Sequence, residues 1–227
     1  MPIVTETASL FDDWARAGRA EGMERGHQPR AIQALEEMPI KLGDKLLDLG
    51  CGNGWATAWL KQRTGNFGAA VGVDGSPEMV ARAKETHGTR YGLSFRHSSF
   101  EKLIWKDRFF HHLFSMEALY YALDLSVALD EAARVLAEGG TLTVCTDFYE
   151  ENPHCHGWPE MMGVPMTLLS VAGWAAVLKD AGLEVERSWR CLDPRPAPED
   201  KPEAEQAEIN DFRRNIGSLA VRARKPL

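Results

Sequence analysis

The sequence predicts an α/β protein built on a mostly parallel sheet. Three observations predict it. From residue 45 onward, short apolar runs alternate with amphipathic helical stretches, the rhythm of βαβ units. One run feeds a glycine turn that opens directly into a helix. The 227 residues, 44% of them hydrophobic, suffice for one large α/β core.

Residues 1–40 are helix-rich and charged. FDDWARAGRAEGMERG and PRAIQALEEM carry apolar residues three and four apart. Gly26 and Pro29 are expected to separate two helices, Pro29 opening the second. Five apolar runs then read as strands: Lys45–Leu49, Ala69–Val73, Leu93–Arg96, Phe109–Ser115 and Thr141–Thr146. Helical stretches near 55–64, 77–86 and 124–137 lie between them. Residues 147–170 are rich in Pro, Gly, His and aromatics and read as a long loop or small cap, of a kind that is usually functional. A helix near 171–181 and a strand at Leu183–Cys191 follow. DPRPAPEDKPEA, 193–204, reads as an exposed loop. A helix over 205–215 and a strand at Ser218–Arg224 close the chain.

Composition narrows the function. Lys and Arg number 26 against 33 Asp and Glu, a net charge of −7, so a nucleic acid is not the expected partner. The Arg-rich end, Arg213 to Lys225, reads as a solvated face. The four cysteines are widely spaced without C-x-x-C, which points to neither a disulfide scaffold nor a zinc ribbon. The opening residues lack a basic region followed by an apolar run, and no run approaches the roughly 20 residues that span a bilayer. A cytoplasmic protein with no membrane partner is expected.

The most informative segment is Leu46-Leu47-Asp48-Leu49-Gly50-Cys51-Gly52-Asn53-Gly54-Trp55. Glycines let the backbone turn sharply and approach a ligand closely. The pattern is G-x-G-x-G, and bulky Trp55 stands where a dinucleotide fold places its third glycine. Asp48 precedes the first glycine by two residues, awkward for a pyrophosphate and favourable for a cation. The next strand ends in Asp74, where an acid accepts hydrogen bonds from ribose hydroxyls. The loop therefore suits a nucleoside carrying positive charge, such as S-adenosylmethionine with its ammonium and sulfonium.

LLDLGCGNGWATAWL and VGVDGSPEMVARAK resemble the first two motifs of the class I S-adenosylmethionine-dependent methyltransferases. FSMEALYYALDLSVALDEAARVLAEGGTLTV resembles the remainder of that pattern, and the likeness covers about residues 40–190 and the last strand. It implies a Rossmann-like seven-stranded, mostly parallel sheet with a reversed last strand and helices on both faces. The expected organisation is an N-terminal helical lid, 1–40, and a methyltransferase-like domain, 41–227, with a substrate-cap insert at about 147–170.

The resemblance assigns cofactor contacts residue by residue. Asp48 and Gly50 would face the methionine amino group, and Gly52 would let the loop lie against the cofactor. Cys51 contributes backbone, its thiol reading as packing. Asp74 would clamp the ribose. Gly75 and Met79 would lie near the adenine, although Met79 on a helix reads equally as core. Where the family often carries an acid after the third strand, this chain has Ser99, with Phe100 placed to pack on the base. Met116 is expected near the cofactor.

Ligands of open α/β sheets bind outside the carboxyl ends of the strands. Three segments are expected to converge there: Ser115–Tyr121, the loop after the fifth strand, and the N-terminal helix with Trp14, Arg19, Met23 and His27. Methyl transfer depends chiefly on alignment, with a base where the acceptor must lose a proton. Glu117, His154 and His156 are candidate bases, and Glu117, His154 and Tyr121 are the expected catalytic set. Trp14, Tyr120, Tyr149, His156 and Trp158 are expected to contact substrate. No metal is expected, although His154-Cys155-His156 offers ligand types. His111 and His112 read as structural.

The leading expectation is a methyltransferase acting on a small-molecule acceptor by direct displacement, as a monomer or homodimer. Rivals are methyl transfer to protein or RNA, a catalytically inactive S-adenosylmethionine-binding partner protein, and a nicotinamide oxidoreductase, against which Trp55 argues.

Overall fold

The computed structural model describes residues 6–227. Residues 1–5 of the expected lid lie outside that range. In chain order the elements are α1 (Glu6–Arg16), α2 (Ala20–Glu36), β1 (Lys45–Leu49), α3 (Trp55–Thr64), β2 (Ala69–Asp74), α4 (Pro77–His87), β3 (Leu93–His97), β4 (Phe110–Met116), α5 (Leu125–Val135), β5 (Leu136–Thr146), α6 (Trp158–Met162), α7 (Val171–Asp180), β6 (Glu184–Cys191), α8 (Glu203–Asp211) and β7 (Ser218–Arg224). The seven strands form one sheet in the order β3-β2-β1-β4-β5-β7-β6. All pairings are parallel except those of β7, which runs antiparallel to both β5 and β6. The expected mostly parallel, seven-stranded sheet with its reversed last strand is present.

Both faces of the central strands are buried, neighbouring strand residues pointing to opposite sides. Leu47, Leu113 and Val144 join Leu129, Trp174 and Leu178 on one side. Leu46, Phe114 and Cys145 join Ala31, Ala34 and Leu35 of α2, with Ala56 and Leu60 of α3, on the other. The C-terminal half of α2 is thus a sheet-covering helix, and its N-terminal half projects beyond the strand ends.

The N-terminal helices divide at a different place from that expected. α2 runs unbroken through Gly26 and Pro29, and the break falls at Gly18, whose φ is 68°. Proline inside a helix leaves the carbonyl four residues back without its amide partner. Here the Arg195 guanidinium donates to the Arg25 carbonyl at 3.2 Å, so that loss is compensated.

Segment 147–170 also departs from an exposed wall. Asp147, Phe148 and Tyr149 are buried at the end of β5. A 3-10 turn at Pro153–Cys155 and α6 follow. The Pro-rich 193–204 loop is anchored at its start: Asp193 is fully buried and held by Arg195 at 2.8 Å. The last helix ends earlier than expected, at Asp211, and continues as a wider π-type turn over Phe212–Ile216.

Candidate functional site

The strand order reverses between β1 and β4, where crossovers leave the sheet in opposite directions and open a crevice at the carboxyl ends. A cavity of about 1080 Å³, counted to its open mouth, lies there. Its floor is the β1 turn, one wall is the β2–α4 and β3 ends, the other is the turn after β4, and its roof is α1 with the first half of α2.

The floor depends on glycine at two points. Gly50 has φ 79°, and a β-carbon there would lie 2.1 Å from the Ala118 β-carbon. Gly54 has φ 85° and caps α3; a β-carbon there would lie 2.6 Å from the Phe95 ring. Only glycine satisfies both the left-handed backbone and the contact. Asp48 is buried beneath this turn and accepts from the Thr57 hydroxyl at 2.6 Å. Burial pushes its carboxyl up to about 7.

Asp74, at the end of β2, accepts from the Gly52 amide at 2.8 Å and the Ser76 amide at 2.9 Å. Burial raises its pKa, with those amides pulling the other way. The Ser76 hydroxyl caps α4 through the Met79 amide and donates to Asp12 of α1 at 2.5 Å. Arg16 adds an ion pair to Glu78 at 3.1 Å, so α1 is fastened to the rim of the cavity.

The wall after β4 carries Glu117, with φ 53°. Its carboxylate accepts from the Tyr120 hydroxyl at 2.9 Å and from the Asp147 amide. Burial, then repulsion from Asp147, pushes the Glu117 carboxyl up to about 8. Behind it the Arg30 guanidinium meets Asp147 at 2.6 Å and Ser218 at 2.7 Å. His27, Glu117 and Asp147 bring ligand-type atoms within 4.8 Å of one another, the one such group among the described residues. Both Asp147 oxygens are already engaged, by Arg30 and by the Ser218 hydroxyl.

All ten residues read as cofactor contacts line this one cavity: Asp48, Gly50, Cys51, Gly52, Asp74, Gly75, Met79, Ser99, Phe100 and Met116. Glu117 and Tyr121 line it too. Tyr120 stands behind them, its ring tilted against that of Tyr121 with centres 4.4 Å apart. The structure does not bring the expected loop residues there. Tyr149 is buried, its hydroxyl donating to the Gly217 carbonyl at 2.9 Å. Trp158 stacks on Phe148 with ring centres 6.0 Å apart. His154 lies 2.8 Å from Asp211, and His156 lies 2.8 Å from the Glu150 carbonyl. The cause is common: Phe148 and Tyr149 fold inward as core and carry the loop away from the mouth. Trp14 packs edge-on against Phe11 at 5.5 Å, and Phe11 is the residue that reaches the cavity.

Phe11, Glu24 and Asn53 were missed as cavity residues. Their signal was faint: Ala20, Met23, Glu24 and His27 recur at helical spacing, but that face mixes charge with apolar groups. Asn53 is fixed by donating to Glu24 at 2.6 Å, a contact between segments far apart in sequence.

Known proteins match this geometry. Residues 47–144 match the family described as a methyltransferase domain. The chain is 37% identical to a chain of the Haloferax volcanii complex between the Trm112 methyltransferase activator and a putative methyltransferase, covering 96% of this chain and 98% of that one at a TM-score of 0.86. It is 31% identical over 132 residues to methyltransferase GfsG of Streptomyces halstedii, covering 58% of this chain and 48% of the relative. It is 27% identical over 157 residues to 27-O-demethylrifamycin SV methyltransferase of Amycolatopsis mediterranei, covering 66% and 57%. The chain therefore spans about half the length of the curated relatives it matches. This chain belongs to the class I S-adenosylmethionine-dependent methyltransferases.

The residues present fit that family's cofactor. Asp48, Asp74 and Glu117 face one cavity, and burial raises all three. Such a cavity is short of positive charge, which the ammonium and sulfonium of S-adenosylmethionine supply. No described helix is long and apolar enough to cross a membrane.

Proposed function

We propose that the protein transfers a methyl group from S-adenosylmethionine to a small-molecule acceptor by direct displacement. The observation that carries this reading is the roof. Phe11 of α1 packs edge-on against Tyr121 at 5.1 Å, so the N-terminal helices bridge the cavity to its far wall. A cavity covered in this way favours a small acceptor over a folded macromolecule, and the roof keeps water from the reacting groups.

When bound, the cofactor supplies an already activated methyl group. The chain's part is binding, alignment and proton removal. Asp74 would hold the ribose, and Asp48 with the Gly50 turn would face the methionine end. Glu117 is the proposed proton acceptor, with Tyr121 as the neighbouring wall. His154 keeps a lesser place in this proposal, because its ring faces Asp211 instead of the cavity.

The experiment is transfer of isotopically labelled methyl groups into separated small-metabolite, protein and RNA fractions. Label in the small-metabolite fraction supports the reading. Label confined to protein or RNA overturns the acceptor class, and none in any fraction favours a binding protein without turnover.

A second reading has one specific observation in its favour. The Haloferax volcanii relative, similar over nearly its whole length, was solved in a complex that contains a methyltransferase activator. In this reading the chain works with a protein partner of that kind. Monomer, homodimer and heterocomplex are separable by light scattering during size-exclusion chromatography.

A further inference from the structure

Glu117 stands one residue from the contact that closes the cavity floor. Its neighbour Ala118 packs so tightly on Gly50 that no β-carbon fits between them. The left-handed backbone at Glu117 is strained for a non-glycine residue and is kept where surroundings impose it. The result is a carboxylate held inside the cavity beside the turn that faces the methionine end of the cofactor.

Its charged and titratable neighbours come from four elements. Arg30 and His27 face it from α2, Asp147 and Cys145 from the end of β5, Tyr120 and Tyr121 from the turn after β4, and Cys155 from the 3-10 turn at Pro153–Cys155. Arg30 is the one cation in that list. It is bound to Asp147 at 2.6 Å and stands 3.7 Å from Asp193. Arg195 and Arg213 also flank Asp193, whereas Asp147 and Glu117 share Arg30, and among the described residues Glu117 accepts hydrogen bonds from Tyr120 and the Asp147 amide and from no cation.

We propose that Glu117 is the counter-charge for the sulfonium of S-adenosylmethionine, so that the cavity separates the methyl donor from its demethylated product, a neutral thioether, and that loading the donor expels a proton from this carboxyl. The inference rests on the methyltransferase reading and names a specificity-determining residue within it. Burial keeps the free carboxyl protonated at neutral pH, with a pKa of about 8, and a nearby positive charge reverses that preference. The product carries the same ammonium, carboxylate and adenosine as the donor. Contributions of Asp48 and Asp74 are therefore common to both ligands, and the difference between them isolates the sulfonium. Once that charge is gone, Glu117 regains a proton, and the grip that favoured the donor is released.

The test is titration calorimetry at pH 7 in two buffers of different ionisation enthalpy, with S-adenosylmethionine and S-adenosylhomocysteine as the ligands. The donor should release more protons than the product, by up to about one per site. Glu117→Gln, which preserves shape, should erase that difference and reduce the donor's preference over the product by about tenfold. Asp48→Asn should weaken both ligands and leave the difference intact. Thermal unfolding of each variant checks that it is folded. Equal proton release for the two ligands, or an undiminished difference in Glu117→Gln, would overturn the proposal while leaving the cofactor assignment standing. Failure of either ligand to bind the unaltered protein would overturn the methyltransferase reading itself.

Discussion

The Arg30 guanidinium and the Asp147 carboxylate meet at 2.6 Å where neither side chain is more than 5% exposed. This pair joins the middle of α2 to the end of β5, two segments 117 residues apart. It sets the position of the half of α2 that roofs the cavity, and it neutralises the acid beside Glu117.

Removing one partner leaves the other charge buried alone, at a cost of about 3–5 kcal/mol. Arg30→Met should therefore lower unfolding stability steeply in urea. The double variant Arg30→Met/Asp147→Asn should recover part of that loss, because no bare charge remains. Additive losses would show that the two residues act independently.

Gly50→Ala should be worse for binding than for folding of the distant sheet edge. The new methyl meets the Ala118 β-carbon at 2.1 Å, on a backbone with φ 79°. Overpacking costs about 1–3 kcal/mol and the backbone conformation adds to it. The expected result is a folded protein of lower Tm with no detectable stabilisation by S-adenosylmethionine.

Asp74→Ala removes an acceptor aimed into the cavity and the brace it provides to the Gly52 and Ser76 amides. Loss of a charge-assisted hydrogen bond, about 1.5–3 kcal/mol, weakens binding by at least tenfold. The thermal shift given by S-adenosylmethionine should disappear while the circular dichroism spectrum is retained. An unchanged shift would take Asp74 out of the site.

The contributions of Asp48 and Glu117 to stability without ligand should fall as pH rises from about 5 to 8, against an opposite contribution from His27, His87 and His112, which burial lowers. Asp48 is raised by burial from 3.8 to about 7, and Glu117 from 4.5 to about 8. Both hold a proton more tightly when folded than when unfolded. Their contribution is complete below the unfolded values and is lost as pH climbs through the folded ones. Relative to the unaltered protein, Asp48→Asn/Glu117→Gln should lose less Tm between pH 5.5 and pH 8. Asp193 works in the opposite sense at the acid end: burial raises it, but hydrogen bonds from Arg195 prevail and lower it, so its contribution is lost as pH falls through its folded value.

His154→Ala separates the loop from the cavity. With its ring against Asp211 and outside the cavity lining, the variant should keep the affinity for S-adenosylmethionine measured by calorimetry within about twofold. A loss of tenfold or more would return the loop to the site.

Much of the cofactor half was legible because it is written in contiguous sequence. A strand, a glycine turn and a helix sit side by side in the chain, so Asp48, Gly50 and Gly52 reach the cavity together by local geometry alone. Asp74 follows from the same logic one strand later, and the alternation of strands and helices gave the parallel sheet. The acceptor half was not legible in that way. Tyr149, His154, His156 and Trp158 have the composition of a substrate wall, yet Phe148 and Tyr149 bury their apolar area in the core, and these loop residues stay out of the cavity lining.

By itself, then, the sequence determined the sheet, the glycine floor and the acids that end β1 and β2, because neighbours in the chain are neighbours in space there. Only the tertiary structure decided that α2 passes unbroken through Pro29, that its polar face closes over the cavity, and that Glu117 stands beside Asp147 with a single shared arginine. Those relationships join segments about 30 to 170 residues apart, and burial, which sets the charge of each group, exists only once the segments have packed.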